Sequence, residues 1–116
     1  MITIQVVPNG SNDAYKLLRD KVSHEANTWS WANKGKTKLV HVNSDGYIEV
    51  GSAEGILVAR IFPKKNKANE FYLSEKFLGR LVAWFQSDLA AINVQFVADP
   101  SPKKINQRTA ARSPKK

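Results

Sequence analysis

The segment 38-KLVHVNSDGYIEVGSAEGILVARIF-62 contains three predicted β-strands in succession. Its first two strands, residues 38–43 and 46–51, flank the sequence NSDG at 43–46, a composition typical of hairpin turns. Its third strand, residues 55–62, carries mostly apolar side chains on both faces, which indicates a central position in a sheet. The segment therefore predicts the middle of a mostly antiparallel sheet.

Further strands are predicted outside this segment. Residues 2–7 (ITIQVV) and 91–98 (AINVQFVA) alternate apolar with polar side chains, the pattern of a half-buried strand. A polar loop follows the third strand at residues 63–69, and residues 70–73 (EFYL) are predicted as a short strand. The sheet is thus expected to have five to six strands.

An amphipathic helix is predicted from about residue 12 to residue 28. One of the side chains Ser11, Asn12 or Asp13 can cap its start. Apolar residues recur along it at steps of three or four and end at Trp29, which we therefore assign to the core.

A second amphipathic helix is expected to begin at a Ser74 cap and to end near residue 90. Phe77 and Trp84 widen its apolar arc beyond a single contact stripe, so the helix is either covered on two sides or forms a dimer seam. Gly79 costs a helix interior about 1 kcal/mol relative to alanine, which favours close packing at that point. Phe77 and Trp84 are therefore the predicted interface residues of a homodimer.

These elements give the order β-α-β-β-β-β-α-β. Two helices packed on one face of a mostly antiparallel sheet form the economical arrangement for this order, so the predicted class is α+β. Residues 1–98 are expected to form a single α+β domain, and residues 99–116 a basic, disordered tail.

The part of the chain from residue 46 to residue 89 consists of predicted strands followed by a helix. It resembles the strand-strand-strand-helix unit of the PUR and PC4 single-strand-binding families. The resemblance covers about a third of the chain, concerns the order of elements alone, and assigns a role to no residue.

The composition limits the class of protein. A chain of 116 residues with 42% apolar and 24% charged side chains has the makeup of one globular domain. The absence of cysteine excludes disulfides and thiolate metal sites. The N-terminal residues lack the basic and apolar regions of a signal peptide, and no apolar run is long enough to span a membrane. We therefore expect an intracellular protein, cytoplasmic or in the nucleoid or nucleus, without membrane contact.

The net charge of +8 is concentrated in the predicted tail. Residues 1–98 contain 12 Lys and Arg against 9 Asp and Glu, whereas residues 99–116 contain six against one. This asymmetry predicts a nearly neutral domain followed by a basic arm.

The sequence Ser-Pro-Lys-Lys occurs at residues 101–104 and again at 113–116. Serine and proline suit the first two positions of a turn, so each copy predicts a compact bend that presents two cations. The repeat resembles the SPKK motifs of linker-histone and related chromatin tails, which implies contact with the minor groove of A/T-rich DNA. A mobile basic arm also gains affinity from counterion release, although a solvated terminus without a ligand is the alternative. The expected binding residues of the tail are Lys103, Lys104, Arg108, Arg112, Lys115 and Lys116.

Two segments of the domain also combine cations with aromatic residues. In the first, 29-WSWANKGKTK-38, an aromatic ring that can stack on a base precedes three lysines at alternate positions. If this segment is extended, the lysines share one face. The predicted binding residues here are Trp31, Lys34, Lys36 and Lys38. The second, 60-RIFPKKNK-67, predicts a basic hairpin tip that can contact phosphates: Arg60, Lys64, Lys65 and Lys67. The alternative for both segments is a set of ordinary solvated lysines.

Catalytic motifs are missing from the sequence. His24 and His41 are its only histidines, and they do not form an HxxxH or HExxH pair. Asp13 and Asp20 lie two helical turns apart but have no third ligand. No Walker loop, GxGxxG or GxSxG motif occurs. We therefore expect a non-enzymatic protein with no metal and no cofactor.

The sequence favours a small nucleic-acid-binding protein, with DNA preferred, that contacts phosphates through its basic C-terminal arm and basic loops. One competing hypothesis is a protein-interaction, assembly or inhibitor module that acts through the apolar face of the helix at 75–89. Another is an enzyme with dispersed catalytic residues.

Overall fold

Six strands and two helices make up the described part of the chain. The computed structural model describes residues 1–24, 26–64 and 68–97. The strands are β1 (Ile2–Pro8), β2 (Trp29–Trp31), β3 (Lys38–His41), β4 (Tyr47–Ala53), β5 (Ile56–Phe62) and β6 (Leu89–Phe96). The helices are α1 (Ala14–His24) and α2 (Ala68–Phe85). Their order, β-α-β-β-β-β-α-β, confirms the predicted α+β class.

The strands form one antiparallel sheet in the order β2-β3-β4-β5-β1-β6. As predicted from its two apolar faces, β5 is an inner strand, paired with β4 on one side and β1 on the other. β1 lies between β5 and β6, so the first and last described strands are neighbours in the sheet. The two edges of the sheet are therefore β2 and β6.

Alternation along each strand directs one set of side chains toward the helices. Ile4 of β1 lies opposite Ala59 of β5, and Ile48 of β4 lies opposite Ile61, all of them fully buried. The helices complete this core with Leu18, Val22, Leu73, Phe77 and Leu81. No helix of the described residues covers the opposite side of the sheet, which we call the open face.

α2 begins earlier than the sequence predicted, and residues 70–73 belong to it. Glu70, Leu73, Phe77 and Leu81 are buried at steps of three and four, so one helical stripe continues through the predicted strand. The Ser74 hydroxyl donates to the Glu70 carbonyl at 2.6 Å, which places Ser74 inside the helix and not at its cap. A short apolar run such as EFYL fits a strand or a helix, and here the longer helical spacing prevailed.

α1 is shorter than predicted, since it ends at His24 and not near residue 28. The Asp13 carboxylate accepts the backbone N–H of Lys16 at 3.1 Å, which confirms a cap at this end. Trp29 is buried as predicted, but it reaches the core from strand β2. The sequence did not predict β2, because Trp29 continued the helical spacing of the residues before it.

Phe77 was predicted as an interface residue, and the structure places it in the core instead. Its side chain is 1% exposed and meets the Trp29 ring edge-on, with the centroids 6.0 Å apart. α2 is apolar on more than one side, so helical spacing alone did not show which side packs against the sheet. Trp84, the other predicted interface residue, is half-buried, and its ring lies 6.0 Å from that of Phe85.

His41 is buried on the helix-covered side of the sheet. Its ring centroid lies 4.7 Å from that of Trp29, and its Nδ1 accepts the backbone N–H of Asn43 at 3.1 Å. Burial lowers the pKa of His41 below its ordinary value of 6.5, and the positive charges of Lys76 and Arg80 lower it further.

This lowered pKa predicts a stability that falls in mild acid. Between the folded and unfolded pKa values of His41, the unfolded chain binds more protons, so acidification favours unfolding. We expect the full contribution above about pH 7 and a progressive loss as the pH falls through about 6.5. His41→Gln should flatten this dependence, whereas His24→Gln at an exposed position should retain it. Urea denaturation across this pH range measures both variants, and an unchanged slope in His41→Gln would contradict the prediction.

Candidate nucleic-acid interface

The open face carries two rows of functional side chains across β3, β4 and β5. Lys38 of β3 lies opposite Glu49 of β4, which in turn lies opposite Arg60 of β5. Tyr47 of β4 lies opposite Phe62 of β5 in the neighbouring row. The register of three antiparallel strands thus brings cations and aromatic rings together.

Tyr47 and Phe62 form what we call the aromatic platform. Their rings are stacked, with centroids 5.2 Å apart and an interplanar angle of 19°. Both residues are half-buried, and both line a hollow on the open face. Gly46 permits this arrangement, because a Cβ there would lie 2.5 Å from the backbone oxygen of Phe62. Glycine therefore allows the turn before β4 to pass against the end of β5.

Three cations surround the aromatic platform. The Lys38 ammonium lies 5.1 Å from the ring centroid of Tyr47, within the range of a cation–π contact. Arg60 is 3.5 Å from the carboxylate of Glu49, and both side chains are about half exposed. Such a surface ion pair contributes at most about 1 kcal/mol, so Arg60 can exchange Glu49 for a phosphate. Lys64 is exposed just after β5.

A hollow of about 490 Å³ lies beside the platform. Lys38 and Lys64 line it together with both platform rings, and Asp45 is the acidic residue in its wall. The Asp45 carboxylate accepts a hydrogen bond from the Asn69 amide at 2.8 Å, so it already has a partner within the chain. The hollow therefore combines ring surface with two exposed ammonium groups.

A larger hollow of about 640 Å³ lies between α1 and the end of α2. Its lining contains Asp13, Asp20 and Asp88 against two lysines, Lys16 and Lys21. Acidic side chains repel phosphate, so this hollow is a poorer site for nucleic acid despite its size. The smaller hollow on the open face is the better candidate.

The other predicted residues of 29–38 do not join the platform. The Trp31 ring lies 6.4 Å from that of Tyr15, and its Nε1 donates to the Arg19 carbonyl at 3.4 Å, so it packs on α1. Lys36 has a φ of 55°, and its ammonium donates to the Ser23 hydroxyl at 3.2 Å. Lys34 is exposed in the loop between β2 and β3.

The lysine row fails because this loop is not extended. Oδ1 of Asn33 accepts the backbone N–H groups of Thr37 at 3.0 Å and Lys38 at 3.1 Å, which closes a turn. Lys36 therefore reaches Ser23 of α1, whereas Lys38, on β3, shares the open face with Arg60. The remaining predicted residues, Lys65, Lys67, Lys103, Lys104, Arg108, Arg112, Lys115 and Lys116, lie outside the described residues.

Tyr47 and Phe62 were not predicted as site residues. The signal that could have located them is the Glu54-Gly55 turn between β4 and β5. Both of its residues have positive φ, at 54° and 84°. A two-residue turn of this kind fixes the register of a hairpin, and it sets Ala53 opposite Ile56. Counting outward from that pair puts Tyr47 opposite Phe62.

No family model, curated protein or solved structure matches this chain. A function for this chain is therefore argued from the geometry of the open face. Within residues 1–24, 26–64 and 68–97, no group of three or more His, Cys, Asp or Glu side chains could hold a metal ion. Neither α1 nor α2, the helices of these ranges, is long and apolar enough to cross a membrane.

Proposed function

We propose that this protein is a non-enzymatic nucleic-acid-binding protein that takes a single-stranded segment, preferably of DNA, on its open face. The observation that carries the proposal is the aromatic platform with Lys38, Arg60 and Lys64 around it. A ring that stacks on bases, beside cations that follow the phosphates, is the usual means of binding single strands.

Stacking on the platform is energetically accessible although Lys38 already covers Tyr47. A cation–π contact at an exposed site contributes about 0.5–1 kcal/mol, whereas a base stacked on an aromatic side chain contributes about 1–3 kcal/mol. A base can therefore displace the Lys38 ammonium from the ring at a net gain. The displaced ammonium then remains close enough to pair with a phosphate of the same strand.

The preference for a single strand follows from what the platform offers. Bases within a duplex already stack on their neighbours, so their faces are not available to Tyr47 and Phe62. The rings and cations of the platform bind base faces and phosphates, which every sequence has, and we expect little sequence preference. The C-terminal arm, residues 99–116, adds six cations that raise affinity through counterion release.

The alternative function, a protein-interaction or inhibitor module acting through α2, concerns the other side of the sheet. Phe71 and Val82 of α2 are 61% and 51% exposed, which favours a contact with a protein surface there. This surface and the open face lie on opposite sides of the sheet, so the two activities do not compete for the same residues.

A charge-matched pair of variants tests the proposed function. Arg60→Gln/Lys64→Gln removes one arginine and one lysine beside the platform, and Lys16→Gln/Arg80→Gln removes the same charges from exposed positions on the helices. The first variant should weaken binding of a single-stranded oligonucleotide roughly tenfold at about 50 mM salt and lower the salt slope by about 1.4. The second should change the affinity less than about twofold, because its cations are remote from the strand.

Fluorescence anisotropy of a labelled oligonucleotide, titrated from about 50 to 200 mM salt, measures these affinities. Single-stranded RNA and duplex DNA of the same length serve as competitors that test the preferences for DNA and for single strands. Equal losses in the two variants would leave only non-specific attraction to a basic protein and would remove the open face from the proposal.

A further inference from the structure

β6 is a long edge strand without the usual protection. Its eight residues, Leu89–Phe96, contain no charged side chain and no proline. Proteins commonly shield sheet edges with charges, prolines or short strands, because an open edge pairs with other chains. The other edge of this sheet follows that pattern, since β2 is only three residues long. The length and composition of β6 therefore require another explanation.

The backbone of β6 offers hydrogen-bonding groups at this edge. Val97 and Met1 exchange two hydrogen bonds, from the Val97 N–H to the Met1 carbonyl at 2.7 Å and from the Met1 amino group to the Val97 carbonyl at 2.6 Å. In an antiparallel pair, alternate residues bond to the same neighbour. Ile92, Val94 and Phe96 therefore direct their N–H and C=O groups away from β1, toward the edge.

An apolar surface adjoins the same edge on the helix-covered side. Phe96 is 75% exposed, Phe71 61%, Val82 51% and Val94 37%. A groove of about 280 Å³ runs between β6 and α2, and Leu78 contributes to its floor. We call this surface, formed by β6 and the exposed apolar side chains of α2, the edge groove. Its open backbone groups and apolar side chains together match a partner strand backed by a helix.

The edge groove is self-complementary about one centre. Val82 of α2 lies near Ile92, whereas Phe71 and Leu78 lie near Val94. If Asn93 meets Asn93 of a second copy, Ile92 of each copy falls opposite Val94 of the other. The middle of α2 then falls beside the same two-fold axis, because it lies level with the middle of β6.

Gly79 supports this arrangement. It is exposed in the middle of α2, and a Cβ added there would meet nothing within 4 Å in the chain. Glycine destabilises a helix by about 1 kcal/mol relative to alanine, and no close contact within the described residues requires it at this position. Next to the axis, the missing side chain lets the two α2 helices approach each other.

We propose that two copies of this chain associate through the edge groove, pairing β6 with β6 in one continuous antiparallel sheet and packing α2 against α2. The self-complementary register favours a second copy as the occupant. Although each copy carries a net charge of +8, β6 contributes no charge and Glu75 is the charged side chain that lines the groove, so pairing of the two strands sets no like charges opposite each other.

The sequence that follows β6 is a weaker candidate for the groove. Residues 99–116 contain three prolines and six cations, and Ile105 is their only large apolar residue. Such a sequence lacks the alternating apolar side chains that a partner strand needs to fill the groove. Association of two copies is independent of nucleic-acid binding, since the edge groove and the platform lie on opposite sides of the sheet.

Sedimentation equilibrium of the full chain from about 1 to 200 μM tests the proposal. Wild-type protein should form a dimer, and Val94→Lys should raise its dissociation constant at least roughly thirtyfold, because an inward-pointing lysine blocks edge pairing. Ser30→Lys, which adds the same charge to the other edge strand, should leave the dissociation constant within about twofold.

Gly79→Gln keeps the test informative if Val94→Lys does not fold. Glutamine favours the helix, so this variant should unfold at a higher temperature as a monomer while its dimer weakens roughly tenfold or more. A wild-type protein that stays monomeric, or a dimer that Ser30→Lys disrupts and both other variants leave intact, would overturn the proposal. Dimerisation that appears only after deletion of residues 99–116 would also overturn it, because the tail would then be the occupant.

Discussion

Replacing Phe77 by alanine is expected to lower the free energy of unfolding by about 3–5 kcal/mol. The Phe77 side chain is 1% exposed and packs between α2 and the sheet, where its ring meets that of Trp29 at a centroid distance of 6.0 Å. Truncation removes this apolar surface and leaves a cavity that the sheet and helices can close only partly. Few single substitutions in this chain should cost more.

Phe71→Ala provides the matched control, because it deletes the same atoms from the same helix. Phe71 is 61% exposed, so the free energy of unfolding should change by less than about 0.5 kcal/mol. Chemical denaturation at low micromolar protein concentration, where self-association contributes little, measures both variants. If Phe77→Ala affected only self-association and left unfolding unchanged, Phe77 would be a seam residue, as its sequence pattern had indicated.

The sequence predicted that α2 is too apolar for a single contact, and the structure explains why the wrong residue was chosen. Leu73, Phe77 and Leu81 form the buried stripe, whereas Phe71 and Val82 remain exposed. Both sides of the helix are apolar. Periodicity therefore shows which residues share a side of the helix, but it does not show which side packs against the sheet. The choice between them depends on the position of β1 and β5, which is a tertiary property.

The order of elements was predicted correctly although two strands were misplaced. Residues 70–73 were predicted as a strand and belong to α2, whereas β2 was not predicted at all. One strand too many and one too few leave the number of strands, and therefore the order of elements, unchanged. Local patterns predicted β3, β4 and β5 well, because a hairpin turn and alternation define them. The insertion of β1 between β5 and β6 is a long-range pairing that no local pattern contains.

The candidate site was predicted only in part, for a similar reason. Lys38 and Arg60 were predicted as binding residues of two separate segments, and they share the open face because each lies opposite Glu49. Lys36 was expected beside Lys38, but the turn closed by Asn33 separates them. The most informative pair, Tyr47 and Phe62, emerges only once the register of β4 and β5 is known.

The second large effect is expected from the platform itself. The double variant Tyr47→Leu/Phe62→Leu should lower affinity for a single-stranded oligonucleotide by about 1–3 kcal/mol for each base that stacks, roughly tenfold or more in total. Leucine keeps an apolar side chain at both positions, so the variant loses the aromatic rings without exposing the backbone of β4 and β5. Lys38, Arg60 and Lys64 remain, so the salt slope should stay close to that of the wild type.

The aromatic control takes the same two residue types from the other side of the sheet. Phe71→Leu/Tyr72→Leu removes one phenylalanine and one tyrosine from α2. Phe71 lines the edge groove and Tyr72 meets the ring of His41, so both lie on the helix-covered side of the sheet. The affinity of this variant for the oligonucleotide should remain within about twofold of the wild type, because no base stacks there. Circular dichroism of both variants confirms that the fold is retained before binding is compared.

Fluorescence anisotropy of a labelled single-stranded DNA oligonucleotide, titrated with wild-type protein and with each double variant, is the most direct measurement of binding on the open face. We predict tight, salt-dependent binding by the wild type and the α2 control, and a loss of roughly tenfold or more in Tyr47→Leu/Phe62→Leu. Equal affinities for all three proteins would contradict a role for the aromatic platform in nucleic-acid binding.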